Sequence, residues 1–342
     1  DILPDENTGN YGLSVRWSPE WADATMGAYY RRTYDMQGQL MLTPGLAAAP
    51  AATCTAIGGQ PVTPTQCIIN KQATNLADLR AKGRVGEYNA AFGEDIDIFG
   101  LSLSKNIAGI SVGAELSYRQ NMPLVSEPVQ VLPTALLSAN AKKAGAISVD
   151  DVPETGTPGA LGDTMHGLVN LLGLVGDTPL FDSATWNTEL TWMTVLDVTQ
   201  NENVYKGRKN NTTRWSNYEL IDRPDSNYFG LGVNFTPTWY QVSPGMDMFM
   251  PLSWSQGVSG NSAVTSGGNE SAGTFGIGIG LDVRQKYRFD VKYVGVFGDY
   301  STCPRSVGNP ASCVNGAMDV PNGVAAAISD RDFIALTFKT TF

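Results

Sequence analysis

The chain has 342 residues, of which 42% are hydrophobic and only 16% are charged, whereas about 25% charged residues are typical of a soluble domain. With 33 acidic against 23 basic residues, the net charge of −10 argues against nucleic acid as a partner. No apolar run approaches the ~18 residues that a transmembrane helix requires. No signal peptide is visible at the start, so we expect a processed or truncated chain. Low charge and 37 glycines leave one membrane class open, the β-barrel.

Windows of strand length in which apolar and polar residues alternate recur along the whole chain. In residues 275–284, for example, five apolar residues alternate with three glycines, Asp282 and Arg284. A soluble sandwich turns the apolar face inward and a membrane barrel turns it outward, and alternation alone does not distinguish the two. We predict eleven strands, at residues 11–19, 24–34, 94–106, 110–121, 164–175, 184–198, 227–239, 247–256, 273–284, 287–298 and 330–342.

Two features of this pattern favour the membrane barrel. Aromatic residues such as Tyr11 and Trp17 lie at the ends of the apolar faces, where aromatic girdles meet the membrane interface. Short and long connections alternate, as do the periplasmic turns and extracellular loops of outer-membrane barrels. We therefore predict an all-β fold, a single outer-membrane β-barrel domain over residues 1–342. Its extracellular loops are predicted at about 35–93, 122–163, 199–226, 257–272 and 299–329.

The last predicted strand ends the chain on a phenylalanine. Its apolar residues resemble the C-terminal signal of bacterial outer-membrane proteins, although Thr340 stands where that signal usually has an aromatic or aliphatic residue. The resemblance implies two partners, outer-membrane lipids and the barrel-assembly machinery. The residues that carry it are Ile334, Leu336, Phe338 and Phe342.

The strand count raises a question of parity. Single-chain bacterial barrels have even strand numbers and two periplasmic termini. With eleven strands and a periplasmic C-terminus, Asp1 would lie on the extracellular side. We therefore expect an odd number of strands before Asp1, with three of them completing a barrel of fourteen.

The four cysteines fall into two local pairs, in segments rich in Pro, Gly, Ser and Thr. Their spacings match no zinc or redox pattern. The economical interpretation is two loop-closing disulfides, Cys54 with Cys67 and Cys303 with Cys313, formed in an oxidising compartment. Four unpaired thiols are the alternative.

No catalytic or cofactor-binding motif stands out. His166 has no Ser or Asp partner in a recognisable motif, and no Gly-x-Ser-x-Gly sequence is present. The glycines at 276–280 lie inside a predicted strand and lack the spacing of a dinucleotide-binding loop. We therefore expect no enzyme activity, no cofactor and no metal site.

The ionisable residues on the polar faces of the strands are the best functional candidates, because in a barrel these faces line the lumen. Both signs are interleaved, unlike a selectivity ring of one sign. A salt-bridged interior that stiffens the wall or holds a plug is the simpler alternative to a solute path. The candidates are Arg16, Arg31, Glu115, Arg119, Glu189, Asp282, Arg284, Arg288, Asp290 and Lys292.

The hairpin near Gln285 allows a specific prediction about these faces. A three-residue turn at 284–286 places Asp282 opposite Arg288, an opposite-charge pair. A turn at 285–287 would instead place like charges opposite each other. We therefore predict the first register, with the Asp282–Arg288 pair inside the barrel near its periplasmic end.

Several longer motifs lie at residues 94–104, 112–124, 241–247, 251–261 and 293–300. Together they resemble a family of Gram-negative outer-membrane proteins known as a domain of unknown function, and more distantly the long-chain fatty-acid channels. Members of that family tend to be longer at the N-terminus. They tend to be encoded near an outer-membrane lipoprotein and an exporter of the resistance-nodulation-division type.

This resemblance implies traffic in lipids or other hydrophobic compounds, with the lipoprotein or exporter component as a partner. The expected function is therefore an outer-membrane conduit for hydrophobic small molecules or lipids. The alternative is a structural or assembly protein, in which a plugged barrel binds a partner through its loops. The family carries no functional residue over to this chain.

Overall fold

The computed structural model of the chain describes residues 10–44, 56–57, 60–61, 86–132, 134, 137–143, 145–207, 223–299, 301–302, 318–319 and 328–341. Within these residues the fold is all-β, with one short α-helix, α1 (Ala139–Lys143), and 3₁₀ turns at Val149–Asp151 and Glu202–Val204. No helix in this described part is long and apolar enough to cross a membrane.

Twelve strands form one antiparallel sheet in which the strands follow each other in chain order. Its edges are the first and last strands, each with one neighbour in the described residues. These strands are β1 (Tyr11–Trp17), β2 (Thr25–Thr33), β7 (Ile96–Ile107), β8 (Ile110–Pro123), β11 (Leu161–Val175), β12 (Ser183–Gln200), β13 (Asn227–Ser243), β14 (Met246–Phe249), β15 (Leu252–Ser259), β16 (Gly273–Val283), β17 (Tyr287–Phe297) and β20 (Phe333–Thr340).

All eleven predicted strands are present in this main sheet, and one of them is divided. The prediction at 247–256 corresponds to β14 and β15, which both pair with β13 and β16 in one continuous register. Pro251 lies between them and has no N–H to donate to a neighbouring strand. The missing donor explains why one strand is interrupted there without a change of face.

The connections alternate between short and long, as predicted. The turns at 108–109, 244–245 and 284–286 lie at one end of the main sheet, because neighbouring strands are antiparallel. The long connections lie at the other end and contain structure of their own. Their strands are β3 (Gln39–Pro44), β4 (Ala56–Ile57), β5 (Gln60–Pro61), β6 (Gly86–Ala91), β9 (Val129–Leu132), β10 (Ile147–Ser148), β18 (Ser301–Thr302) and β19 (Met318–Asp319).

Four of the five long connections pack together into a small domain-like unit, which we call the cap. It comprises the described parts of residues 34–44, 86–95, 124–160, 201–226 and 260–272. Strands β10, β9, β3 and β6 form its own sheet, in that order. Its hydrophobic core packs on Met193 of β12 in the main sheet and consists of Met41, Ala91, Leu124, Val129, Val131, Ala160, Val204, Tyr205 and Ala263.

Three sequence predictions fall outside the described residues and stay predictions. The first is the pair of disulfides, since Cys54, Cys67, Cys303 and Cys313 all lie outside them. The second is the role of Phe342 in the C-terminal signal, since this residue also lies outside them. The third is the set of strands expected before Asp1.

Candidate functional site

The pairing register gives the main sheet two faces of opposite chemistry. One row of residues across five strands is almost wholly apolar: Leu103, Ala114, Val169, Leu190 and Leu231. The adjacent row points to the other side of the sheet and carries Ser102, Glu115, Leu168, Thr191 and Gly230. We call the first side the apolar face and the second the polar face.

The apolar face is largely uncovered. Leu101 is 60% exposed, Ile279 is 52% exposed and Leu336 near the opposite edge is 78% exposed. A monomeric soluble protein rarely exposes an apolar patch of this extent. A trough of about 1150 Å³ crosses this face, lined by residues that include Trp17, Leu103, Leu116, Leu190, Phe229 and Val258.

Nine of the ten predicted charged candidates lie on the polar face. The pairing places Arg16 in the row of Glu115 and Arg31 in the row of Arg119. Glu189 pairs with Asn170 of β11, which lies on the same face. Near the other edge of the sheet, on β16 and β17, the polar face carries Asp282, Arg288, Asp290 and Lys292. Arg284 differs, because it lies in the turn after β16 with φ of +53°.

The predicted hairpin register between β16 and β17 is confirmed. Asp282 lies opposite Arg288, and Gly280 lies opposite Asp290. The side chains make a different pair, however, since the Arg288 Nε lies 3.9 Å from an Asp290 oxygen. The Arg288 guanidinium also lies 3.9 Å from the centre of the buried Phe249 ring, which reaches the polar face from β14.

Three cavities follow one another along the polar face between β1 and β16. The first, of about 500 Å³, is lined by Arg16, Tyr29, Glu115 and Glu189 among others. The second, of about 320 Å³, shares Glu189 with the first. The third, of about 310 Å³, shares Glu115 with the first and lies beneath the cap. Glu115 and Glu189 therefore border adjoining cavities, whereas Arg31 lines none of these three.

The cavity beneath the cap contains the chain's only histidine and a half-buried arginine. Arg119 Nε lies 3.4 Å from the Ser117 hydroxyl, and no carboxylate of the described residues lies within 4 Å of its guanidinium. His166 Nε2 lies 3.0 Å from the hydroxyl of Thr164, which is fully buried. The remaining lining includes Leu168, Thr191, Met193, Tyr228 and the cap segment 262–268.

One strand departs from the polar character of its face. On β11 the side chains that alternate on the polar face are Thr164, His166, Leu168, Asn170, Leu172 and Leu174. Three of them are leucines, and Leu172 and Leu174 are exposed. Leu168, Leu172 and Leu174 thus form a leucine track that begins at the cavity beneath the cap and runs towards the short turns.

A single buried side chain ties the cap together. Gln39 donates through Nε2 to the carbonyl oxygens of Leu124 and Ala160, at 2.7 and 3.2 Å. Its Oε1 accepts from the Thr157 hydroxyl at 2.6 Å. Gly159 permits this approach, because a Cβ there would lie 2.0 Å from Oε1. Two long connections are therefore joined at one amide.

Sequence reasoning did not identify the leucine track, Tyr228 or Ser117 as parts of a site. Leu168 to Val175 is largely apolar, interrupted by Asn170 and Gly173, and a strand that is apolar on both faces produces such a run. This run was therefore the sequence feature from which the leucine track could have been predicted. Tyr228 and Ser117 offered none, because each is an ordinary polar position in an alternating strand.

A comparison with protein families matches residues 3–342 to the family described as "Protein of unknown function (DUF1302)". A comparison with curated proteins finds no match for the chain.

Proposed function

Since the chain belongs to this family of proteins of unknown function (DUF1302), whose description names no activity, we propose a function from the chain's own residues. The protein is a bacterial outer-membrane β-barrel that passes hydrophobic small molecules or lipids. In this proposal the apolar face meets lipid, the polar face lines the lumen, and the cap lies on the extracellular side.

One observation carries the membrane part of the proposal, namely the exposed apolar face opposite a charged face. Leu101, Ile279 and Leu336 lie far apart in the sheet and are each more than half exposed. Lipid chains would cover this face without any further protein element. Charged residues on the opposite face would then contact water in the lumen, which is the inverted arrangement of a transmembrane barrel.

The leucine track supports a hydrophobic solute. A lumen that carries only water and ions gains nothing from exposed leucines among charged and hydroxyl-bearing neighbours. Leu168 pairs with Glu115 and Thr191, and Leu172 pairs with Ser111 and Asn187. An apolar solute that moves along β11 would contact leucine side chains while its other surface stayed hydrated.

Entry of a fluorescent hydrophobic probe into Gram-negative cells tests this proposal. Cells that make the protein should take up N-phenyl-naphthylamine faster than cells with an empty vector, and Leu168→Asn should slow the uptake severalfold. Thr185→Asn is the matched control, because Thr185 lies on the same face and already carries a polar side chain. Uptake equal to that of the vector cells, with the protein present in the outer-membrane fraction, would refute the conduit.

A structural role is the second candidate, and the cap favours it. The cap has a continuous hydrophobic core that includes Leu124, Val204 and Ala263, and its segment 262–268 lines the cavity beneath it. A plugged barrel with a rigid cap could present that surface to an outer-membrane lipoprotein or exporter component. This role predicts no probe uptake above the vector level and cross-links from the cap to that partner.

A further inference from the structure

The cavity beneath the cap has a cationic end and an acidic end. Arg119 and Glu115 both line it and lie four residues apart on the polar face of β8, about 13 Å along the strand. Glu115 also borders the next cavity, whereas Arg119 does not. The Arg119 guanidinium therefore dominates the end nearest the cap.

Arg119 has unused capacity to bind an anion. A guanidinium carries five N–H donors, and within the described residues Arg119 makes one polar contact, from its Nε to the Ser117 hydroxyl at 3.4 Å. Arg32, by contrast, lies 2.6 Å from Asp95 and 3.3 Å from Asp97. A half-buried guanidinium without a carboxylate is well placed to bind a carboxylate or phosphate from a ligand.

Further donors surround the same end of the cavity. The imidazole of His166 and the hydroxyls of Ser117 and Tyr228 all belong to its lining and share one row of the polar face, next to Arg119. The Tyr228 hydroxyl lies against Gly268, where an added Cβ would come within 2.0 Å of it. The cap segment thus confines this end of the cavity, so that a headgroup there would be shielded from bulk water.

The leucine track leads away from this cationic end. Leu168 lines the cavity, and Leu174 lies six residues farther along β11, about 20 Å away. This distance matches an extended acyl chain rather than a compact solute. The track and the cation therefore present the two parts of one amphipathic molecule, in order along a single strand.

We propose that the cavity beneath the cap binds the anionic headgroup of an amphipathic small molecule at Arg119, with its apolar tail along Leu168, Leu172 and Leu174. This inference rests on the proposed function, since it names the class of solute that the conduit takes. The headgroup is a carboxylate or a phosphate.

Binding of three probes with the same tail tests the inference. The protein is placed in nanodiscs of zwitterionic lipid, and calorimetry measures the dissociation constants of dodecanoate, dodecyl phosphate and dodecanol. We expect at least one anionic probe to bind about tenfold more tightly than dodecanol, the effect of one charge-assisted contact. Arg119→Gln should abolish this preference and Arg119→Lys should restore much of it.

Arg31→Gln is the matched control, because Arg31 lies in the same row of the polar face but outside the cavity. It should leave the preference unchanged. If Arg119→Gln fails to fold, Ser117→Ala and Tyr228→Phe replace it, with a severalfold loss expected for the anionic probes alone. A preference that persists in Arg119→Gln, or in both replacement variants, overturns the inference.

Two further outcomes separate this inference from the conduit. Acetate or inorganic phosphate binding as tightly as the tailed anions would show a free-anion site and overturn the amphipathic ligand. Equal binding and equal uptake of dodecanol and dodecanoate would overturn the inference and leave the conduit standing. Arg119-dependent binding without any uptake would support the site and refute the conduit.

Discussion

Asp282 lies directly opposite Arg288 across the hairpin between β16 and β17, but the Arg288 guanidinium contacts Asp290 and Phe249 instead. On its other side Asp282 pairs in register with Asp247 on β14. Like charges directly opposite each other on a sheet are destabilising. Of the two carboxylates near Arg288, Asp282 therefore contributes less favourably than Asp290 to the stability of the fold.

The two carboxylates should respond in opposite directions to neutralisation. We expect Asp282→Asn to raise the free energy of unfolding by about 0.5 kcal/mol, because repulsion from Asp247 is removed. Asp290→Asn should lower it by about 0.5 kcal/mol, because its ion pair with Arg288 is lost. Urea unfolding in detergent micelles, followed by tryptophan fluorescence, measures the free energy of unfolding of both variants and of the unmodified protein. Destabilisation by Asp282→Asn would show that the attraction between Asp282 and Arg288 outweighs the repulsion between Asp282 and Asp247, and it would contradict the prediction.

A charge placed on the apolar face tests whether that face meets lipid. We expect Ile279→Arg to cost about 2–4 kcal/mol in a bilayer, because the charge would lie in hydrocarbon. Thr337→Arg is the matched control on the polar face. Thr337 pairs with Asp290, and Asp290 pairs with Gly280, which follows Ile279 in the chain, so the two substituted positions lie in adjacent rows of the sheet. Thr337→Arg should cost little, because it lies opposite Asp290. Equal, small effects in lipid vesicles would mean that Ile279 faces water.

The sequence predicted the strands and their faces well because both depend on local alternation. The register at Asp282 and Arg288 followed from the number of residues in the turn and needed no knowledge of distant contacts. The actual partner of Arg288 could not be predicted in the same way. Phe249 reaches it across Gly280, and this approach depends on how β14 packs beside β16.

The cap and the cavity beneath it were beyond sequence reasoning for a different reason. Gln39 bonds to residues that are 85 and 121 positions away, through backbone groups that no periodicity marks. In the same way, β9 is held by pairing with β3, which lies more than 80 residues earlier in the chain.

Removal of the Gln39 amide should loosen the cap without unfolding the main sheet. Gln39→Met keeps the length of the side chain but leaves buried carbonyl groups of Leu124 and Ala160 without this donor, at a cost of about 3 kcal/mol. We expect the amides of Leu124 and Val125, which donate within the cap, to exchange hydrogen about a hundredfold faster.

The exposed neighbour Gln37 provides the control for that experiment. Gln37→Met introduces the same side chain in the same connection, and it should leave the exchange of both amides unchanged. Amides of β16 and β17 should keep their protection in both variants. Unchanged exchange in Gln39→Met would mean that the hydrophobic core alone maintains the cap.

The connection before β20 contains an acid-sensitive contact. Asp332 accepts hydrogen bonds from the Tyr293 hydroxyl and from the Val296 amide, the latter at 2.9 Å. These two bonds, the Tyr293 bond first, hold the pKa of Asp332 below its usual value. Because the folded-state pKa is lowered, the contact stabilises the fold fully above the unfolded pKa of about 3.9 and is lost as the pH falls through the folded pKa.

We therefore expect the start of β20 to become protease-sensitive as the pH falls below about 4, before the rest of the sheet responds. Asp332→Asn should make the segment 328–333 equally sensitive at pH 7 and well below pH ~4, because its amide no longer titrates and is a weaker acceptor. Limited digestion with an acid-tolerant protease, read by mass spectrometry, measures the cleavage. Asp330→Asn is the control, since Asp330 lies in the same connection and pairs only with exposed Arg331 at 3.9 Å. If a steep pH dependence remains in Asp332→Asn and disappears in Asp330→Asn, the acid sensitivity comes from Asp330, and the prediction for Asp332 is wrong.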